Sequence, residues 1–211
     1  MKLFEYLVDK FGYDEPIILD DLKKDIDFIT YENLRKSMKR MTDAGLIVRY
    51  QPGLYFIPKP NSLIKSNSIS LHKIIDRKYL TKKNGRVGYI TGLAFANSLR
   101  LTTQNAVNIE VVTSETTSIK RNVDLKKATV TLRKPKVAIT DDNYKLLQVL
   151  DLLNSFDRYS EVDLLKSRGK ISNYLKGTKM SRRELNGYLK KYPKKTTENL
   201  LESELYDEIT Q

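Results

Sequence analysis

The sequence predicts an α+β protein in two parts, and three observations predict it. Apolar residues recur at helical spacing near the N-terminus, and a basic helix then runs straight into two β-rich segments joined by Gln51-Pro52-Gly53. Three further β-prone runs precede a C-terminal third that returns to helical periodicity. Residues 1–60 have the order of parts of a winged helix-turn-helix. Residues 61–211 read as an α+β domain with a small antiparallel sheet and a helical C-terminal part.

Leu3, Phe4, Leu7, Val8 and Phe11 define a first amphipathic helix over residues 2–11, closed near Gly12. Ile17-Ile18-Leu19 is a short β-prone run. Asp20 is placed to cap a second helix over about residues 21–26 by accepting orphan backbone N–H groups. Thr30 caps a third helix that Gly45 stops, with Glu32 near the positive end of its dipole. Leu34, Met38 and Met41 should face the core, which leaves Tyr31, Asn33, Arg35, Lys36, Lys39 and Arg40 mostly outward. The runs LIVRY and LYFI then form a hairpin.

Residues 58–70, PKPNSLIKSNSIS, read as a linker. Ser70 is placed to cap a helix with Leu71, Ile74, Ile75 and Tyr79. KKNGRVG reads as a loop, and YITGLAFANSL as a turn followed by a short apolar helix. VNIEVVT, SIKRNVDL and ATVTLRK suggest an antiparallel meander. Residues 142–155 form a strongly apolar helix, and further helices are expected at 160–167, 170–176, 181–191 and 196–208.

The formal charge is +12, and its distribution says more than its sum. Residues 1–60 carry 10 basic and 10 acidic side chains, residues 61–139 carry 15 and 4, and residues 140–211 carry 13 and 12. Within the first part, residues 1–27 are 4 basic against 8 acidic, and residues 28–60 are 6 against 2. There is no cysteine, which excludes disulfides and Cys-based metal sites. No segment has the continuous apolar run of a signal peptide or a membrane span, so the expected location is cytoplasmic.

A basic helix followed by a hairpin presents a helix and a wing to duplex DNA. Tyr31, Asn33 and Arg35 occupy the first turns, where base contacts concentrate. Lys36, Lys39, Arg40 and Arg49 suit phosphates, and Tyr50 and Gln51 belong to the wing. Farther along, Lys120, Arg121, Lys126, Lys127, Arg133, Lys134 and Lys136 crowd the predicted sheet, with Lys120 and Asn122 on the face opposite Arg121 and Val123. Such a face could bind nucleic acid, a nucleotide or an acidic protein, or its lysines could simply protect a sheet edge.

Catalysis has little support. His72 stands alone, Asp141-Asp142 read as capping groups, and GRVGYITG lacks the lysine and context of a phosphate loop. The expectation is a non-enzyme with no catalytic residue, metal site or cofactor.

GLYFIPK at 53–59, GYITGLAFANSLRLTTQ at 88–104, EVVTSETTSIKRNV at 110–123 and VTLRKP at 130–135 together resemble the AbiEi family of antitoxin regulators from bacterial abortive-infection, type IV toxin–antitoxin modules. The resemblance spans roughly residues 1–180 in the same order. It implies an N-terminal winged helix that binds promoter inverted repeats and represses its own operon. It also implies a C-terminal domain that counters a nucleotidyltransferase-like toxin without a stable complex. Paired half-sites would require two protomers on DNA, from a monomer or weak dimer in solution. The family pattern has Gly where Arg100 stands, and the turn there must be made without it. A second reading makes the winged helix a scaffold and the basic middle segment the surface that binds the toxin or its RNA or nucleotide substrate.

Overall fold

Helix, strand, helix, helix and hairpin succeed one another in the first 60 residues of the computed structural model, which describes residues 3–60, 69–126 and 128–210. The elements are α1 (Leu3–Phe11), β1 (Ile17–Ile18), α2 (Leu19–Asp25), α3 (Tyr31–Asp43), β2 (Val48–Gln51) and β3 (Leu54–Phe56). The strands make one antiparallel sheet in the order β1-β3-β2. Leu7, Leu22, Leu34, Met38 and Ile47 pack with Ile17, Tyr55 and Ile57 as its core.

Local chemistry sets these boundaries. The Thr30 hydroxyl accepts the Asn33 N–H at 3.4 Å and opens α3, while Gly45 takes a φ of 71° after its end. Asp20 does not cap α2. That helix begins one residue before it, and the Leu19 N–H is already taken by the Gly53 carbonyl at 2.9 Å. Asp20 thus lies inside the helix, where it and Asp21 act on the helix dipole from the first turn.

The chain divides into two compact units, residues 1–78 and 79–211, whereas composition placed the change at 60/61. α4 (Leu71–Ile75) goes with the first unit, because Lys73 donates to the Asp14 carbonyl at 3.2 Å and pairs with Glu15. Ser70 stands at its cap position without a side-chain bond, and a π-helical turn (Asp76–Leu80) follows. Residues 61–68 of the expected linker lie outside the described residues.

In the second unit the expected loop at 82–88 contains a small hairpin, β4 (Thr81–Lys82) and β5 (Gly85–Arg86). The expected turn at the start of YITGLAFANSL is part of a strand, β6 (Gly88–Thr91), which enters α5 (Gly92–Ser98). Next come β7 (Asn108–Thr113), β8 (Lys120–Asp124) and β9 (Thr129–Arg133), and the sheet order is β6-β7-β9-β8. The pairings are antiparallel except β7 with β9, which is parallel, so the three runs do not form a meander. Burial explains the swap. Val130, Thr131 and Leu132 of β9 are buried and need neighbours on both sides, whereas β8 is exposed along most of its length and takes the edge.

The C-terminal helices are α6 (Tyr144–Asn154), α7 (Phe156–Tyr159), α8 (Leu164–Leu175), α9 (Arg182–Leu189), α10 (Lys194–Glu202) and α11 (Leu205–Ile209). α6 is buried at every position from Leu146 to Leu153 and packs against Tyr89 and Val112 of the sheet and against α8 and α10. Two expectations change here. The helices expected at 160–167 and 170–176 are one helix, since Gly169 sits on an open surface. The helix expected at 196–208 is broken where Glu204 adopts a φ of 57°.

The segment after α5 is held by one carboxylate. Glu161 accepts the Thr102 hydroxyl at 2.9 Å, the Thr103 N–H at 3.0 Å and hydroxyl at 3.1 Å, and the Gln104 amide at 3.2 Å. Arg100 supplies the turn with a φ of 56°, a strained conformation for a residue with a Cβ, and Lys170 donates to its carbonyl at 2.6 Å. The backbone N–H of Thr103, then the Thr102 hydroxyl, hold the Glu161 carboxyl below its ordinary value.

Leu150→Ala should cost about 2–5 kcal/mol in urea unfolding, because α6 has no free side on which to collapse. Leu201→Ala, at a position 56% exposed, should cost well under that, and equal losses would contradict the enclosure of α6. Glu161→Gln should lower the thermal midpoint at neutral pH. Because the folded-state pKa is depressed, the stabilisation is complete above the ordinary value of 4.5 and fades as pH falls below it. The gap between wild type and variant should therefore close in acid, and a pH-independent gap would argue against the clamp.

Candidate nucleic-acid interface

Alternation along β2 and helical spacing along α3 bring four cations into one groove. Arg35, Lys36, Lys39 and Arg49 line it with Glu32, Thr42, Asp43 and Tyr55, around a volume of about 500 Å³. Positions 32, 35, 36, 39 and 43 share a helical face because they recur at three and four residues. Arg49 joins them by standing opposite Tyr55 in the hairpin. With four cations and two carboxylates, the groove is net positive.

The other proposed contact residues are placed differently. Asn33 and Arg40 are exposed on the far flank of α3. Tyr31 is half-buried against the core, with Lys23 Nζ 4.6 Å from its ring centroid and Arg35 Cζ at 6.0 Å. Tyr50 is buried, 3% exposed, so its side chain is unavailable to a ligand. A register shift between Arg49 and Gln51 leaves Tyr50 as an extra residue on β2, and its side chain turns inward. Gln51 is half-buried beside the turn. Lys23, in the last turn of α2, makes its contact with the Tyr31 ring outside the groove lining.

The groove is adaptable at its rim. Lys36 pairs with Glu32 at 2.7 Å one helical turn away, but both side chains are more than half exposed, so water screens the attraction. Lys36 can therefore exchange its carboxylate for a phosphate at little cost.

The cations of the middle segment separate into two groups. Lys120, Arg121, Lys126, Lys134 and Lys136 are exposed, Arg133 is half-buried, and Lys127 lies outside the described residues. Arg133 and Lys136 are engaged with Asp151, whose side chain is 5% exposed in the enclosed helix α6. Tyr89 donates to Asp151 Oδ2 at 2.9 Å, Lys136 Nζ lies 3.6 Å from Oδ1, and Arg133 also faces Glu110 at 3.5 Å. Lys136 lies 4.1 Å from the Tyr192 ring centroid. Burial, then the Asp151 charge, push the Tyr89 and Tyr192 hydroxyls up, so both stay protonated. These two cations are counter-charges for a buried carboxylate rather than parts of an open basic face.

Near the sheet, Gly92 shows why a glycine is needed there. Its φ is 67°, and a Cβ would stand 2.9 Å from Glu110 Oε1, itself held by the Tyr159 hydroxyl at 2.9 Å. GRVGYITG thus runs from the small β4–β5 hairpin through β6 into α5. His72 is exposed on α4. Asp141 accepts the Arg86 N–H at 3.2 Å instead of capping α6, where Asn143 and Thr140 exchange bonds. Among the described residues no group of three His, Cys, Asp or Glu could hold a metal ion, and no helix is long and apolar enough to cross a membrane.

A family model described as a family of unknown function, DUF6088, matches residues 17–182. No curated protein and no solved structure matches the chain. The matched span runs from β1 to the first residue of α9 and takes in the cationic groove, the Asp151 network and the Glu161 clamp, so the chain belongs to the DUF6088 family.

Proposed function

We propose that this protein is a DNA-binding autorepressor and antitoxin, with a winged helix in its first unit and a toxin-countering second unit. The observation that carries the DNA reading is the convergence of Arg35, Lys36, Lys39 and Arg49 in one groove between α3 and the β2–β3 hairpin. The order α1-β1-α2-α3-β2-β3, with β1 paired to β3, supports reading α3 as the recognition helix and the hairpin as the wing. An α-helix fits the major groove of B-DNA. The cations then hold the register on phosphates, and Arg35, Asn33 and Tyr31 lie near the helix start, where base edges are read.

The antitoxin part rests on the likeness of GYITGLAFANSLRLTTQ and the following strands to the AbiEi family. One observation favours a working surface in the second unit. Lys120, Arg121, Lys126 and Lys134 remain exposed around β8 after Arg133 and Lys136 are assigned to Asp151. The proposed counterpart is a nucleotidyltransferase-like toxin, countered without a stable complex.

In a gel-shift titration against the chain's own upstream region, the triple variant Arg35→Ala, Lys39→Ala, Arg49→Ala should bind far more weakly. If Lys39 and Arg49 meet phosphates, the salt dependence of binding should also flatten by about two counterions. Binding like wild type would overturn the assignment. With all chains expressed from the same inducible promoter, that triple variant should still rescue growth from the neighbouring toxin, whereas Arg121→Ala with Lys134→Ala should lose rescue and keep repression. Loss of both activities in both variants would reject a division of labour between the units.

A further inference from the structure

The free edge of β8 carries a pattern that is complementary to itself. Among the described residues β8 ends the sheet and pairs with β9 alone. The Lys134 N–H donates to the Ile119 carbonyl at 3.1 Å, and the Leu125 N–H to the Ala128 carbonyl at 2.9 Å. Peptide groups in an antiparallel strand alternate in direction, so residues 119, 121, 123 and 125 turn theirs towards β9. The N–H and C=O groups of Lys120, Asn122 and Asp124 therefore point outward, and all three side chains are exposed.

We propose that β8 pairs antiparallel with β8 of a second copy of this chain, about a two-fold axis at Asn122, joining two four-stranded sheets into one. In that register Lys120 stands opposite Asp124 of the other copy, Asn122 opposite Asn122, and Arg121 opposite Val123. The outward peptide groups have the parity this register needs, because 120, 122 and 124 all fall in hydrogen-bonded pairs. Each of the three pairs exchanges two bonds. Ile119, 86% exposed in a single copy, comes to lie opposite Leu125 of its partner.

Neighbouring registers are worse on charge alone. An axis at Arg121 sets Arg121 against itself, and an axis at Val123 sets Lys120 against Lys126. Lysines on an edge strand usually discourage pairing. Here Asp124 at the other end of the same strand turns that deterrent into a selector of one register, since opposite charges directly across a ladder attract and like charges repel. The inference concerns the second unit and does not depend on DNA binding.

The test uses the full chain without DNA. Sedimentation velocity over a wide concentration range should show a reversible monomer–dimer equilibrium. Lys120→Glu should weaken it about tenfold by setting two carboxylates against each other, and Lys120→Glu with Asp124→Lys should restore it. Asn122→Pro should abolish the dimer while leaving the fold intact, because the lost N–H faces the free edge. The absence of cysteine gives an independent measurement. Paired Cα atoms about 5.5 Å apart suit a disulfide, so Asn122→Cys should cross-link on mild oxidation where an exposed control, Lys166→Cys, does not. A monomer at every concentration overturns the proposal and leaves the edge to a strand of a different protein. Equal cross-linking of Asn122→Cys and Lys166→Cys, or no rescue by the charge swap, also overturns it.

Discussion

A carboxylate buried in a helix that is enclosed on every side sets terms for much of the larger unit. α6 is buried at every position from Leu146 to Leu153, and Asp151 is among them. Removing an ion from water is costly unless partners replace the lost hydration, and the surrounding sequence supplies them. Tyr89 brings a hydroxyl from β6, Arg133 a guanidinium from the end of β9, and Lys136 an ammonium from just beyond it. Gln148, the other polar residue in that run, donates to the Ile90 carbonyl at 2.5 Å and accepts from Tyr174. The helix is thereby pinned to the sheet by polar contacts as well as by its leucines. Orientation follows, because an apolar helix alone could rotate or slide over an apolar sheet.

The same constraint changes the meaning of the charge count. The excess over residues 61–139 reads in the sequence as one basic surface. Folding divides it: Lys73 pairs with Glu15 in the first unit, Arg133 and Lys136 face Asp151, and Lys120, Arg121, Lys126 and Lys134 are exposed around β8. Asp151 is far away in sequence and sits in a leucine-rich run, so nothing local to either cation announces the pairing. Divided at the boundary between units, the chain has 14 basic and 11 acidic residues in the first and 24 and 15 in the second. The groove of the first unit is therefore a local concentration of charge on a nearly balanced body.

What was legible in the sequence was what short-range physics decides. The apolar spacing in α1, the Thr30 cap, the Gly45 stop and the Gln51-Pro52-Gly53 turn could all be read from neighbouring residues. The groove cations Arg35, Lys36, Lys39 and Arg49 were also legible, since helical and strand periodicity orient them. The failures arise where a distant partner decides. Asp20 falls inside α2 because the helix starts at Leu19, whose N–H meets the Gly53 carbonyl of the distant hairpin turn, and a bulge carried Tyr50 inward. The order of β8 and β9 followed from burial across the whole sheet. Thr102, Thr103 and Gln104 converge on Glu161 more than fifty residues later, a contact that no local pattern encodes.

The exchange of β8 and β9 also bears on how the chain reaches this structure. β8 and β9 are joined by a four-residue connection, so their antiparallel pairing closes a small loop at low entropic cost. β6 and β7 also pair, but across α5 and a longer connection. Only the parallel contact of β7 with β9 unites the two ribbons, and it has no tight turn to guide it. Topology therefore leaves the sheet incomplete until that parallel pairing is made. Until it happens, Val111 and Leu132, adjacent in the finished sheet and both fully buried, have no common surface, and the face on which α6 must lie is incomplete. The enclosed helix therefore depends on a contact between strands that are not neighbours in sequence.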